Sequence, residues 1–167
     1  RKLQKSIIIS GDEVTYYDNV KSDLGELLKK VNRDIKSKWK VDHYNIPVCF
    51  DIETSSFYQD NEKRACMYIW MFSINEQVYY GRTWKEFKEF MELVFGESKD
   101  FTKIIFIHNL SFEFHFLESV LELSHVFARA KHKVIKCECE LFNIEFRCSY
   151  YMSNASLKEV PRLFGLN

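Results

Sequence analysis

Apolar positions recur along the chain at two spacings, and the switch between them divides it into strands and helices. Val48, Phe50 and Ile52 alternate with Cys49, Asp51 and Glu53, which predicts a strand over 48–54 with one apolar face and one face bearing two acids. Runs rich in β-formers predict strands over 66–74 and 78–80, with Asn75-Glu76 in the turn between them, and another over 103–107. Helical spacing takes over at 83–95, where Trp84, Phe87, Phe90, Met91 and Val94 form a stripe and Thr83 with Glu86 forms a capping box. A second helix is predicted over 111–123. Three strands, a helix, a strand and a helix make an α/β order, and a parallel crossover within it sets helices against a mixed sheet.

The flanking stretches extend this frame. Ile7-Ile8-Ile9 and Val14-Thr15-Tyr16-Tyr17 around Gly11-Asp12 predict a small β-hairpin over 6–17. Leu24, Leu27, Leu28, Val31, Ile35 and Trp39 recur at the helical period and predict one helix, with Asp23 and Glu26 as a capping pair. The polar stretch 54–64 reads as a loop. Residues 126–130, 133–138 and 142–149 predict three strands as a hairpin insertion, and Pro161 predicts a short turn followed by a new helix.

Composition makes this a globular chain: 167 residues suit one domain, with 46% hydrophobic and 29% charged residues. No apolar run reaches the length of a membrane span and no signal peptide opens the chain, so a cytoplasmic setting without a membrane is expected. The opening residue is Arg1 instead of Met, which suggests an excised piece. Net charge is zero, so bulk charge announces no polyanionic partner. Local excesses exist: seven Lys or Arg against three acids over 21–40, and seven against four over 125–167. Either excess suits a phosphate backbone or a solvated surface. Five cysteines without a disulfide-framework spacing predict reduced, mostly buried thiols. Cys137, Cys139, Cys148 and His132 compose a possible zinc set, although residues two apart in a strand share a face for no reason beyond the pleat.

The chemistry gathers in two stretches. Asp51 and Glu53 point the same way from an apolar strand and repel, so either a cation lies between them or both reach water. A hard divalent ion suits such an oxygen set. Downstream, Ile104-Ile105-Phe106-Ile107 runs into the polar elbow His108-Asn109 and then into Leu110-Ser111-Phe112-Glu113 at the start of a helix. Near the end stands Ser156-Leu157.

The ordered set Asp51-x-Glu53, His108-Asn109-Leu110-x-Phe112-Glu113 and Ser156-Leu157 resembles the exonuclease motifs of the proofreading domain of family B DNA polymerases, in the protein-primed form of phages and linear plasmids. The resemblance covers about residues 47–167 and implies a ribonuclease H-like (DEDD exonuclease) fold for an exonuclease-like domain over 46–167; residues 1–45 lie outside it and read as a hairpin-plus-helix extension that packs on that domain or offers a surface to a partner. It implies hydrolysis of nucleotides from a single-stranded DNA 3′ end with two Mg²⁺ or Mn²⁺ ions. Asp51 would be shared between the metals, Glu53 would bind one and orient the attacking water, and Glu113 stands where the second motif carries Asp, its extra methylene moving the oxygen by about 1 Å. Asn109 and Phe112 would hold the 3′ end, with His108 orienting or packing and Thr54, Ser149, Ser156 and Leu157 as further DNA contacts. The third motif, Tyr-x-x-x-Asp, does not follow Leu157, so the domain is expected to stop short of it. Implied partners are single-stranded DNA, a primer-template through the parent polymerase, and a terminal protein. The alternative reading is a weakly active or inactive exonuclease-like module that binds single-stranded DNA or a replication protein.

Overall fold

A computed structural model describes residues 6–9, 12–30, 33–36, 41–44, 46–97, 99–163 and 165. The chain opens with strands β1 (Ser6–Ile9) and β2 (Asp12–Tyr16), a short helix α1 (Lys21–Leu24), and the pair β3 (Arg33–Lys36) and β4 (Val41–Tyr44). Strands β5 (Val48–Gln59), β6 (Glu62–Ile74) and β7 (Gln77–Gly81) follow, then helix α2 (Trp84–Phe95), β8 (Lys103–Ile107) and helix α3 (Leu110–Leu117). Strands β9 (Ser124–Ala128), β10 (Val134–Cys139) and β11 (Ile144–Cys148) precede two single-turn helices, α4 (Tyr150–Ser153) and α5 (Val160–Leu163). Nine strands form one mixed sheet in the order β1-β2-β7-β6-β5-β8-β11-β10-β9, and β3 with β4 forms a separate small sheet. Strands β5, β8 and β11 are parallel, while β6 runs antiparallel to β5 and β7. The fold is α/β, with helices flanking a mixed sheet.

Aromatic packing on one sheet face holds α2 in place. Phe50, Trp70 and Phe72 from β5 and β6 meet Phe87 and Phe90 from α2, with ring centroids 4.8–6.1 Å apart. Trp70 and Phe72 are fully buried, so truncating either to Ala would cost about 3–5 kcal/mol. The Trp70 indole donates to the Thr83 carbonyl at 3.0 Å. It lies across Gly81, its partner in the β6/β7 register, where any Cβ would overlap the indole. The capping box forms as the sequence predicts: Thr83 Oγ1 accepts from Glu86 N, and the Glu86 carboxylate accepts from Thr83 N.

Several predicted elements differ from the structure. The stretch 54–64 is no loop: β5 and β6 continue through it and pair from Thr54↔Met67 to Gln59↔Glu62 around an Asp60-Asn61 turn, both residues left-handed at φ 52° and 62°. All of 55–66 is exposed on both faces, so no apolar alternation marks these strands, and cross-strand bonding extends them past the core. The single helix expected from Leu24 to Trp39 is also absent. Among the described residues of 21–40 only α1 and a 3₁₀ turn, Leu28–Lys30, are helical, and the chain enters β3 at Arg33. Leu24 and Leu28 are buried as the period requires, but Ile35 belongs to a strand; Val31 and Trp39 lie outside the described residues. Asp23 and Glu26 cap nothing as a pair, since Glu26 binds Lys29 at 2.7 Å. Helix α3 stops at Leu117, earlier than expected, where the Ser119 hydroxyl takes the Phe116 carbonyl at 2.6 Å. Strands β10 and β11 are not an insertion, because β11 pairs in parallel with β8 over its full length. Cys137, Cys139 and Cys148 are buried thiols, while Cys49 and Cys66 are exposed. No helix among the described residues is long and apolar enough to cross a membrane.

Candidate active site

The site forms where two parallel strands part. Pairing of β5 with β8 ends at Phe50↔Ile107, and the next residue of β5 is Asp51. After Ile107 the chain turns through His108 and Asn109, and Asn109 takes the left-handed conformation (φ 64°, ψ 52°) that an amide side chain tolerates well. Its carbonyl accepts from Phe112 N at 2.9 Å, and this starts α3. Leu110, Glu113 and Leu117 then share the buried face of that helix. An acid therefore sits in the middle of a stripe that otherwise packs into the core.

Glu113 is 4% exposed and one of its carboxyl oxygens, Oε2, is buried without a donor. Its carboxyl adjoins that of Asp51, and the two can hydrogen-bond only when one holds a proton. Burial first, and then the Asp51 charge, push the Glu113 carboxyl up to about 8. Asp51 is raised as well, by burial and then by the Glu53 charge, against a backbone N–H from Ile52 that favours its ionised form. At neutral pH the pair thus shares a proton that a cation would displace. This orphaned oxygen and doubled acid fit a divalent ion between Asp51 and Glu113. Glu53 stands apart: it is exposed, next to a register shift at Glu53/Thr54. Among the described residues no group of three His, Cys, Asp or Glu side chains is placed to hold a metal ion.

The elbow gathers further residues. His108 Nδ1 lies 3.2 Å from Ser149 Oγ, while its Nε2 is buried without a partner. Ser149 N donates to the Ile107 carbonyl at 2.9 Å, which ties the end of β11 to the end of β8. Phe112 is exposed and leans on Phe116, with ring centroids 5.4 Å apart. Thr54 is half-buried beyond the bulge. Ser156 gives both its N–H and its hydroxyl to Glu159, at 3.0 and 2.6 Å, so its side chain serves a turn. Leu157 is exposed and borders a cavity of about 480 Å³ with Asp51, His108, Ser149 and Met152.

Arg129, Lys133, Tyr150 and Tyr151, none of them singled out from the sequence pattern, line a second cleft. Arg129, His132 and Lys133 line, together with Tyr150 and Tyr151, this cleft of about 650 Å³, which also reaches His108 and Asn109. The basic excess over 125–167 is the signal that marks this region in the sequence. A scan against protein-family models finds no match, and no curated protein is significantly similar to the chain.

Proposed function

We propose that this chain is a metal-dependent 3′–5′ exonuclease module acting on single-stranded DNA, of the kind carried by protein-primed family B DNA polymerases. The observation that carries the reading is the meeting of Asp51, just past the end of the β5/β8 pairing, with Glu113 in the first turn of α3, where Glu113 Oε2 is buried and unsatisfied. The order β5-β6-β7-α2-β8-α3, three antiparallel strands followed by a crossover to a strand parallel to the first, is how a ribonuclease H-like domain begins, and it supports that finer fold. Bound divalent ions supply the Lewis acidity that activates water and stabilises the leaving oxygen. Asp51 and Glu113 hold that charge, Glu53 stands at the solvent side within reach of an attacking water, and Asn109 and Phe112 grip the terminal nucleotide through an amide and a ring. Trimming of a labelled oligonucleotide from its 3′ end with Mn²⁺, lost in Asp51→Ala/Glu53→Ala and strengthened in Glu113→Asp, is the expected result. Equal trimming by wild type and the double variant overturns the reading.

A second reading, a weakly active or inactive module that grips single-stranded DNA or a replication protein, is favoured by the position of Glu53, which leaves Asp51 and Glu113 as a pair instead of a triad. DNA binding without trimming in either metal would select it.

A further inference from the structure

The turn 129–133 carries Arg129, Lys131, His132 and Lys133, and it is held as a fixed wall. Arg129 N donates to the Lys133 carbonyl and Lys133 N to the Ala130 carbonyl, both at 3.0 Å, with His132 left-handed at φ 59°. Val134 N donates to Ser111 Oγ at 2.8 Å, and the His132 ring lies 5.7 Å from that of His115, so the turn is fastened to α3. Its cations are exposed, and among the described residues none of Arg129, Lys131 and Lys133 is ion-paired. Lys136 and Arg147, on the strands behind, are by contrast bound to Glu138 and Glu145. Three like charges on one short turn repel each other, and an anion in the cleft would relieve them. No acid lines that cleft among the described residues. Tyr150, 39% exposed, lines the same cleft, its ring in T-shaped contact with both His108 and Tyr151.

Cations and an accessible ring lining one cleft suit a chain of phosphates that carries unstacked bases. A free phosphate has no use for the ring, and a duplex keeps its bases stacked inside. We propose that turn 129–133 and Tyr150 form a track for single-stranded nucleic acid on the 5′ side of the terminal nucleotide, with phosphates on Arg129 and Lys133, which line the cleft, and a base on Tyr150. This rests on the exonuclease reading for its direction, since the cleft opens at His108 and Leu157 onto the carboxylate site.

Anisotropy of a labelled oligothymidylate in EDTA, taken across a salt series, tests it. Arg129→Gln/Lys133→Gln is expected to reduce the slope of log K against log salt by about 1.4, from roughly 0.7 for each of two phosphates. The same variant should bind the oligomer about tenfold more weakly, while a dinucleotide, which ends at Asn109 and Phe112, binds as to wild type. A matched variant on other exposed lysines, Lys63→Gln/Lys85→Gln, should change neither. An unchanged slope, or an equal loss in the matched variant, overturns the track even if the chain trims DNA. A reduced slope in a chain that trims nothing with Mn²⁺ keeps the track and removes the exonuclease reading, and a wild type that binds no oligomer removes both.

Discussion

Glu113 and Glu145 are both withdrawn from water on the same half of the sheet, and their carboxyls move in opposite directions. Burial raises both. At Glu145 the Lys136 ammonium, 3.0 Å away, and the Arg147 guanidinium in contact outweigh it and hold the carboxyl below the usual range. At Glu113 the charged neighbour is another acid, Asp51, and the carboxyl is pushed up to about 8. Depth alone decides neither case; the sign of the neighbour does. The face of β10 and β11 is electrostatically complete as folded, whereas the meeting of β5 and α3 is left one positive charge short.

Removing the completeness on one side is the largest test. Lys136→Met/Arg147→Met strands the Glu145 carboxylate, whose side chain is 13% exposed. The expected loss is about 2 kcal/mol by denaturant unfolding, below the 3–5 kcal/mol of a deeply buried broken pair because both cations are more than a third exposed. A loss under about 0.5 kcal/mol would erase the contrast between the two acids.

Supplying the missing charge on the other side comes next. Mn²⁺ at about ten times its Kd should stabilise wild type by about 1.4 kcal/mol. Asp51→Asn should unfold later than wild type without metal, because one of the repelling acids is gone, and should lose most of the Mn²⁺ effect. Equal Mn²⁺ stabilisation in both proteins shows that the ion, if bound, sits elsewhere.

The smallest effect is the pH slope, where the two acids have opposite signs. The Glu113 carboxyl is raised in the fold, so its contribution is full below its unfolded value of 4.5 and is lost as pH rises through about 8. Glu145 is lowered, so its contribution is present above the unfolded value and is lost as pH falls through the folded one. Metal-free stability should therefore decline from mildly acidic to mildly alkaline pH, and Glu113→Gln should flatten that decline by about 1 kcal/mol. A Glu113→Gln profile parallel to wild type would place the titration on another group.

Elements with a local signal were legible without coordinates. The Thr83/Glu86 box, the Asn75-Glu76 turn and the alternation of 48–53 each rest on neighbours within a few residues, and each appears where expected. The hairpin 55–66 was not legible because both its faces meet water, so its strands carry no alternation to read. The false helix toward Trp39 shows the converse. A helical spacing of leucines survives only in α1 and the 3₁₀ turn at Leu28–Lys30, and pairing of β3 with β4 then makes the chain extended.

By itself the sequence determined that Asp51 and Glu53 share a strand face and that Glu113 falls in the first turn of a helix after a polar elbow. Periodicity assigns a residue to a face, but it does not say what that face meets. Only the parallel pairing of β5 with β8, and its end at Phe50↔Ile107, brings Asp51 to Glu113 and leaves Glu53 in solvent. The same holds for the basic turn: its charges are written in the chain, but their place beside the carboxylates comes from β11 joining β8 and from Ser111 fastening the hairpin to α3. Contacts between residues far apart in the chain are set by which strands hydrogen-bond, and that choice belongs to the whole sheet.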